Sequence, residues 1–240
     1  MTFTTEASTA PAAVSSIYQN GDYLSQNEDW HAAESPWKAN HILNILEKNA
    51  VSFNTLAEVG CGAGRILHEL SNALPSKSFK GFDISPQAAG FWQTLPESNR
   101  VEYALEDFLE TDDQFDVLMA IDVFEHVPDY MGFLKKLSAH SKYFIFHVPL
   151  DLNMLMIAKD EHSELRNRLG HIHYFSRSTT ISTLQDCGYK VTDWFYTADY
   201  ELPGHERSIN PLRKLLFKIN PNFTVKALGG WSMMVLAEKA

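Results

Sequence analysis

The chain has 240 residues, a formal net charge of −10, and 45% hydrophobic against 21% charged residues. That is enough apolar material for one full α/β core, and it excludes a wholly disordered chain. The acidic balance disfavours a nucleic-acid partner, and no stretch approaches the roughly 20 apolar residues of a membrane-crossing helix.

The first residues lack both a basic start and a long apolar run, so they do not read as a signal peptide and a cytoplasmic location is expected. Cys61 and Cys187 are too few for a disulfide framework. Residues 1–35 are expected to form an N-terminal tail and candidate lid, with Tyr23, Trp30 and the following Trp37 as candidate pocket walls. Residues 36–240 are expected to form a single domain with helical insertions near 151–175 and 201–230.

Ser35-Pro36 opens a helix, with Ser35 expected at the N-cap, and Ile42, Leu43, Ile45 and Leu46 mark its core face. Next comes the stretch Ala57-Glu58-Val59-Gly60-Cys61-Gly62-Ala63-Gly64-Arg65. An apolar strand, Thr55 to Val59, runs into three glycines at alternate positions. A helix pattern of Ile66, Leu67, Leu70 and Leu74 follows, stopped at Pro75. Glycine permits a positive φ in a tight strand-to-helix turn, and the first N–H groups of the helix point at whatever the loop holds.

A second strand, Ser78 to Phe82, leads to Asp83-Ile84-Ser85, whose carboxylate is placed to hold ribose hydroxyls. Ser85-Pro86 starts another helix, and a third strand, Val101 to Leu105, precedes Glu106-Asp107-Phe108. Phe115 to Ile121 and Lys142 to Val148 are near-continuous apolar runs, as in central strands covered on both faces, with a helix from Tyr130 to His140 between them. Ser176 is expected to cap a later helix, and Tyr189 to Tyr200 and Trp231 to Glu238 read as two final strands. Such alternation implies a parallel sheet with right-handed crossovers, whose ligands bind beyond the carboxyl ends of the strands.

In their order, E-V-G-C-G-A-G, G-F-D-I-S, E-D-F and D-V-F-E-H-V resemble the motifs of class I S-adenosylmethionine (SAM)-dependent methyltransferases, over about residues 36–198 and the last strand. The resemblance implies an α/β, Rossmann-like, seven-stranded and mostly parallel sheet of order 3-2-1-4-5-7-6, strand 7 antiparallel, with helices on both faces. It implies SAM as cofactor. Glu58, Gly60, Cys61, Gly62 and Gly64 would meet the donor's amino-acid end, and Asp83 with Ile84 the ribose. Asp107 would meet the adenine amine, with Phe108 packing the ring, and Asp122 would lie against the methyl donor. For Asp107 a turn-capping role is the alternative.

Methyl transfer needs alignment and desolvation, and a hydroxyl acceptor also benefits from a general base. In Asp122-Val123-Phe124-Glu125-His126-Val127, His126 is the nearest candidate base, with Glu125 or Asp122 to orient it; a supporting role in the loop is the alternative. His171 and His173 share a face if their run is extended, and are candidate catalytic residues of the acceptor pocket or structural histidines bonded to backbone. His147 reads as core or pocket floor. No metal is expected. A metal-assisted variant, resembling the ubiquinone-biosynthesis and small-RNA-end O-methyltransferases, would use Asp122, Glu125 and His126 with His171 or His173.

The expected activity is methyl transfer from SAM to a small-molecule acceptor, at a hydroxyl oxygen. A non-catalytic SAM-binding regulatory module is the alternative of a different class, and a nicotinamide oxidoreductase is disfavoured by the G-x-G-x-G spacing. A basic helix, Pro211 to Ile219, with Leu212, Leu215, Leu216 and Ile219 along one side, is expected to pack on the domain, a dimer contact or an acidic-surface contact being the alternative.

Overall fold

The central strands of this chain form where apolar residues run almost without interruption, and seven strands join one sheet in the computed structural model. The structure describes residues 29–240 apart from Pro203 and Glu206, so residues 1–28 of the expected tail, Tyr23 among them, lie outside the described residues. The strands are β1 (Thr55–Val59), β2 (Ser78–Asp83), β3 (Val101–Leu105), β4 (Phe115–Ile121), β5 (Ser141–Pro149), β6 (Tyr189–Ala198) and β7 (Trp231–Lys239). Their order is β3-β2-β1-β4-β5-β7-β6, with the first five parallel and β7 antiparallel to both neighbours, as expected.

Both faces of this sheet are covered. Val117, Met119 and Ile121 of β4 pack with Ile42 and Ile45 of α1 (Ser35–Lys48) and Leu67 and Leu70 of α2 (Arg65–Ala73). The alternate residues Leu118 and Ala120 join the opposite core, closed by helices that include Leu134, Leu137 and Leu184. Period-two alternation sends successive side chains to opposite faces, so a strand covered twice must be apolar throughout. Each large side chain buried this way contributes roughly 1.5–3 kcal/mol relative to exposure.

Polar caps set the helix starts. Ser85 accepts from the Ala88 N–H at the start of α3 (Pro86–Trp92), and α4 (Tyr130–Leu137) follows β4. Ser35 does not cap α1. The short turn Ala32–Glu34 runs straight into the helix, so Glu34 is already helical (φ −83, ψ −15) and Ser35 is a buried first-turn residue. The first insertion carries α5 (Met154–Lys159) and α6 (His162–Leu169). After α7 (Arg177–Asp186), opened by a reciprocal Ser176–Thr179 capping box, the second insertion carries α8 (Asn210–Ile219) and α9 (Pro221–Leu228). Among the described residues no helix is long and apolar enough to cross a membrane.

Candidate active site

The glycine loop turns sharply at the end of β1 because Gly60, Gly62 and Gly64 adopt φ of +74, +52 and +73. A Cβ on Gly60 would lie 2.8 Å from the Val123 side chain, and one on Gly62 would lie 2.7 Å from the Trp30 ring, so the loop also needs glycine for space. Asp83 braces it: Oδ2 accepts the Gly62 N–H at 2.8 Å, Oδ1 accepts the Ser85 N–H at 2.8 Å, and the Trp92 indole donates to the Gly62 carbonyl at 2.9 Å. Burial raises the Asp83 pKa, against the pull of those backbone donors. With the Ile84 N–H also acting on it, the Asp83 carboxylate retains room for a further donor.

Beyond the carboxyl ends of β1, β4 and β5 opens a cleft of about 1120 Å³, lined among others by Trp30, Trp37, Glu58, Cys61, Asp122 and His171. Glu58 is 1% exposed, and its Oε2 has no partner among the described residues. Burial pushes its carboxyl well above the usual range, with Asp83 and Asp122 adding to the rise against the pull of Lys38. An orphaned buried acceptor of this kind costs about 1–3 kcal/mol.

Asp122 has φ +55, a conformation an aspartate tolerates better than most residues but still at a cost. Its carboxylate holds His147 Nδ1 at 2.6 Å and Lys38 Nζ at 2.9 Å, while His147 Nε2 meets Thr197 Oγ1 at 2.8 Å and Lys38 also meets Glu34 at 3.0 Å. Burial raises the pKa of Asp122, but the charges of His147 and Lys38 outweigh it and hold the carboxyl well below its usual range. The Lys38 ammonium is lowered by burial and then raised further by Asp122 and Glu34, ending above its usual range. Glu34, half-buried, is raised by that burial but brought to about 2 by His31 and Lys38. Asp122 therefore does not orient His126; it organises a floor of Lys38 and His147.

His126 instead places Nδ1 3.1 Å from the Gly170 carbonyl, to which an Nδ1–H donates, and burial followed by the neighbouring His171 lowers its pKa to about 3. Glu125 is buried, with neither carboxyl oxygen hydrogen-bonded among the described residues and Oε1 3.9 Å from His126 Nε2, and burial together with Asp122 pushes it well above the usual range. Its backbone carbonyl accepts both the Ile172 and His173 N–H groups, at 3.0 and 3.1 Å. Converging on one oxygen, these two bonds bend the run, so His171 and His173 do not share a face. His171 turns into the cleft, with Nδ1 2.7 Å from Asp151 Oδ2 and its ring 4.8 Å from that of His126. His173 leaves the site, bonding the Val127 carbonyl at 3.0 Å and resting on Tyr130. Among the described residues, Glu125, His126 and His171 bring one donor atom each within 4.8 Å of the others; Asp122 and His173 stand outside that group.

On the other side of the loop, Asp107 caps the turn Phe108–Glu110 by accepting the Leu109 N–H at 2.9 Å, while its side chain stays exposed. Phe108 is in the core against Phe82 and His140, both at 4.9 Å, and offers no ring face to a ligand. The exposed apolar residues there are Ile84 and Leu105, at adjacent ends of β2 and β3. Sequence reasoning missed Lys38, Asp151 and Leu105. For Lys38 the four-residue spacing from Glu34 was a readable signal.

A methyltransferase-domain family profile matches residues 30–193. The ubiquinone biosynthesis O-methyltransferase of Pseudomonas putida (strain GB-1) is 33% identical over 114 residues, covering 42% of this chain and 47% of that protein, so the chain spans about half the length of this curated relative. The crystal structure of magnesium protoporphyrin IX methyltransferase from Synechocystis PCC 6803 with bound SAH has a TM-score of 0.66 and 14% identity, over 95% of this chain and 100% of that one. The N-methyltransferase NodS from Bradyrhizobium japonicum WM9, in complex with S-adenosyl-l-homocysteine, has a TM-score of 0.56 and 15% identity over 84% of this chain and 85% of that one. At such identities the two structures speak for the fold alone. The profile spans the glycine loop, Asp83, the Asp122 floor and the Asp151–His171 pair, and the chain belongs to the methyltransferase-domain family.

Proposed function

We propose that this methyltransferase takes its methyl group from SAM and passes it to a hydroxyl oxygen of a small-molecule acceptor. One observation carries the reading: an orphaned Glu58 oxygen, three left-handed glycines and a loop-bracing Asp83 meet at the adjoining ends of β1 and β2. Glu58 offers a buried carboxyl that the donor's ammonium would hold ionised, Gly60, Cys61, Gly62 and Gly64 offer room and N–H groups, and the remaining acceptor capacity of Asp83 suits ribose hydroxyls. Ile84 and Leu105 replace Phe108 as the apolar wall for adenine, with Asp107 at its amine. The size of the cleft leaves room for a small second ligand.

SAM supplies a methyl group on a cationic sulfur, whose in-line displacement demands alignment and exclusion of water. His171 takes the acceptor's proton at Nε2. Asp151 accepts its Nδ1–H, fixes that tautomer and stabilises the imidazolium that forms. His126, neutral because its pKa is near 3, positions the His171 ring.

Calorimetry with SAM and its demethylated product tests the donor site. Asp83→Asn keeps one oxygen for the loop and is expected to weaken both ligands by roughly 10- to 100-fold, the loss of a charged hydrogen bond (about 1.5–3 kcal/mol). No binding by folded wild type sinks the proposal. Glu58→Gln is expected to act in opposite directions on stability and affinity. The folded Glu58 pKa is raised, so its carboxyl costs stability increasingly as pH rises above its unfolded value near 4.5. The variant is therefore expected to melt higher than wild type, by a margin that grows from pH 5 to 8, while binding SAM less tightly. Unchanged affinity would remove Glu58 from the donor's amino group.

The Glu125 oxygens, without a hydrogen bond among the described residues and grouped with His126 and His171, favour a second, metal-assisted reading. Turnover insensitive to a chelator supports the Asp151–His171 base; turnover lost on chelation and restored by a divalent cation supports the metal. A chain that binds SAM and methylates no acceptor is the regulatory module.

A further inference from the structure

Helix α8 is built inside out. It buries Asn210 and Arg213 and exposes Leu212, Leu215 and Ile219, the last 74% exposed. Spaced three and four residues apart, these three share one face, which the sequence had suggested would pack on the domain. Arg213 takes the inward place because its guanidinium donates to the Leu228 carbonyl at 2.9 Å and to Asn210 Oδ1 at 3.3 Å, and lies 3.7 Å from the Asp199 carboxylate. Helix α9 packs on both α8 and α5 and exposes Phe223, and α5 exposes Met154 and Ile157. Three adjoining helices thus turn apolar side chains to the outside.

Residues 207–228 contain Arg207, Arg213, Lys214, Lys218 and Lys226 and no Asp or Glu, in a chain of net charge −10. Lys214, Lys218 and Lys226 are all exposed. A symmetric pairing of two copies through this face would bring those lysines toward their own counterparts, which disfavours a second copy as occupant. A bilayer with anionic headgroups accommodates both features, cations at the phosphates and aliphatic side chains at the acyl boundary. On the inward side of the same segment Ile209, Arg213 and Leu228 line the cleft, as does Met156 of α5.

We propose that the α5–α8–α9 face docks on an anionic lipid surface, with the cleft opening beside it. The proposal stands on the surface alone and does not depend on the methyl donor. Flotation of the whole chain with vesicles of phosphatidylcholine, with and without phosphatidylglycerol, tests it. Binding is expected only with phosphatidylglycerol, weakening as salt screens the charges. Lys214→Gln and Lys218→Gln are expected to weaken partition roughly fivefold each, about 1 kcal/mol per cation. Ile219→Ser and Phe223→Ser, both at exposed positions that leave the core intact, are expected to weaken it at every salt concentration. Absence of flotation by folded protein overturns the proposal. So does self-association that Ile219→Ser abolishes without any lipid binding, which would assign the face to a second copy. SAM calorimetry on the same variants, expected unchanged, keeps this failure distinct from failure of the donor site.

Discussion

His171→Ala is expected to lower kcat by roughly 10²- to 10⁴-fold, the usual contribution of a positioned base, with SAM affinity nearly unchanged. The expectation rests on three features of one side chain: it lines the cleft, its Nδ1 is held 2.7 Å from Asp151, and its ring lies against a histidine that stays neutral. An interaction made only in the transition state lowers kcat and kcat/KM together, and steady-state kinetics on wild type and variant reads that directly. Asp151→Asn should fall in the same direction, because an amide no longer enforces one tautomer or stabilises the imidazolium. His126→Gln should cost far less. If His126→Gln abolishes turnover while His171→Ala leaves it intact, the roles assigned to the two rings are reversed.

Lys38→Met is expected to cost about 3–5 kcal/mol of stability, the penalty of leaving buried charges without their partner. Lys38 sits between Glu34 and Asp122 with 11% of its side chain exposed, so solvent does little to screen the loss. In a domain of this size that corresponds to a Tm lower by roughly 6–20 °C, measurable by thermal unfolding. The pH dependence has a definite sign. Glu34 and Asp122 have folded pKa values below their unfolded ones, so the stability they contribute is complete above about pH 4.5 and is lost as pH falls; for Glu34 the loss runs down to about 2. The gap between wild type and Lys38→Met should therefore be widest at neutral pH and close on acidification. A gap that stays constant down to pH 3 would show that Lys38 acts through packing of its stem and not through these carboxylates.

Local signals made most of the fold legible. The apolar runs from Thr55 and Phe115 begin and end where β1 and β4 do, because a doubly covered strand writes its burial into nearly every residue. Ser85 and Ser176 read correctly as caps, since capping depends only on the next three residues. The glycine loop and Asp83 were legible for the same reason: the turn and the close approach are local requirements. What escaped depends on pairs far apart in the chain. Asp122 meets Lys38 and His147, and Asp151 meets His171, through tertiary placement that no spacing encodes. Phe108 misled because the residue after an exposed cap points back into the core. His173 misled because two N–H groups share the Glu125 carbonyl, an arrangement invisible to period-two reasoning. In α8 the apolar stripe was read correctly, but its direction was set by the bonds of a buried arginine.

The central position of β1, paired on one side with β2 and on the other with β4, has a consequence for how this protein can change. Glu58, Asp83 and Asp122 hang from the ends of these three adjoining strands, where amide protons should exchange with solvent last, close to the rate of global unfolding. The opposite wall, from Asp151 to His171 and on through α8 and α9, is carried by excursions beyond the sheet that can open locally at lower cost. Substitutions on the first side are penalised through survival of the whole fold, whereas those on the second fall on the wall we propose for the acceptor. A lineage built on this scaffold is free to drift among acceptors while its donor pocket stands still.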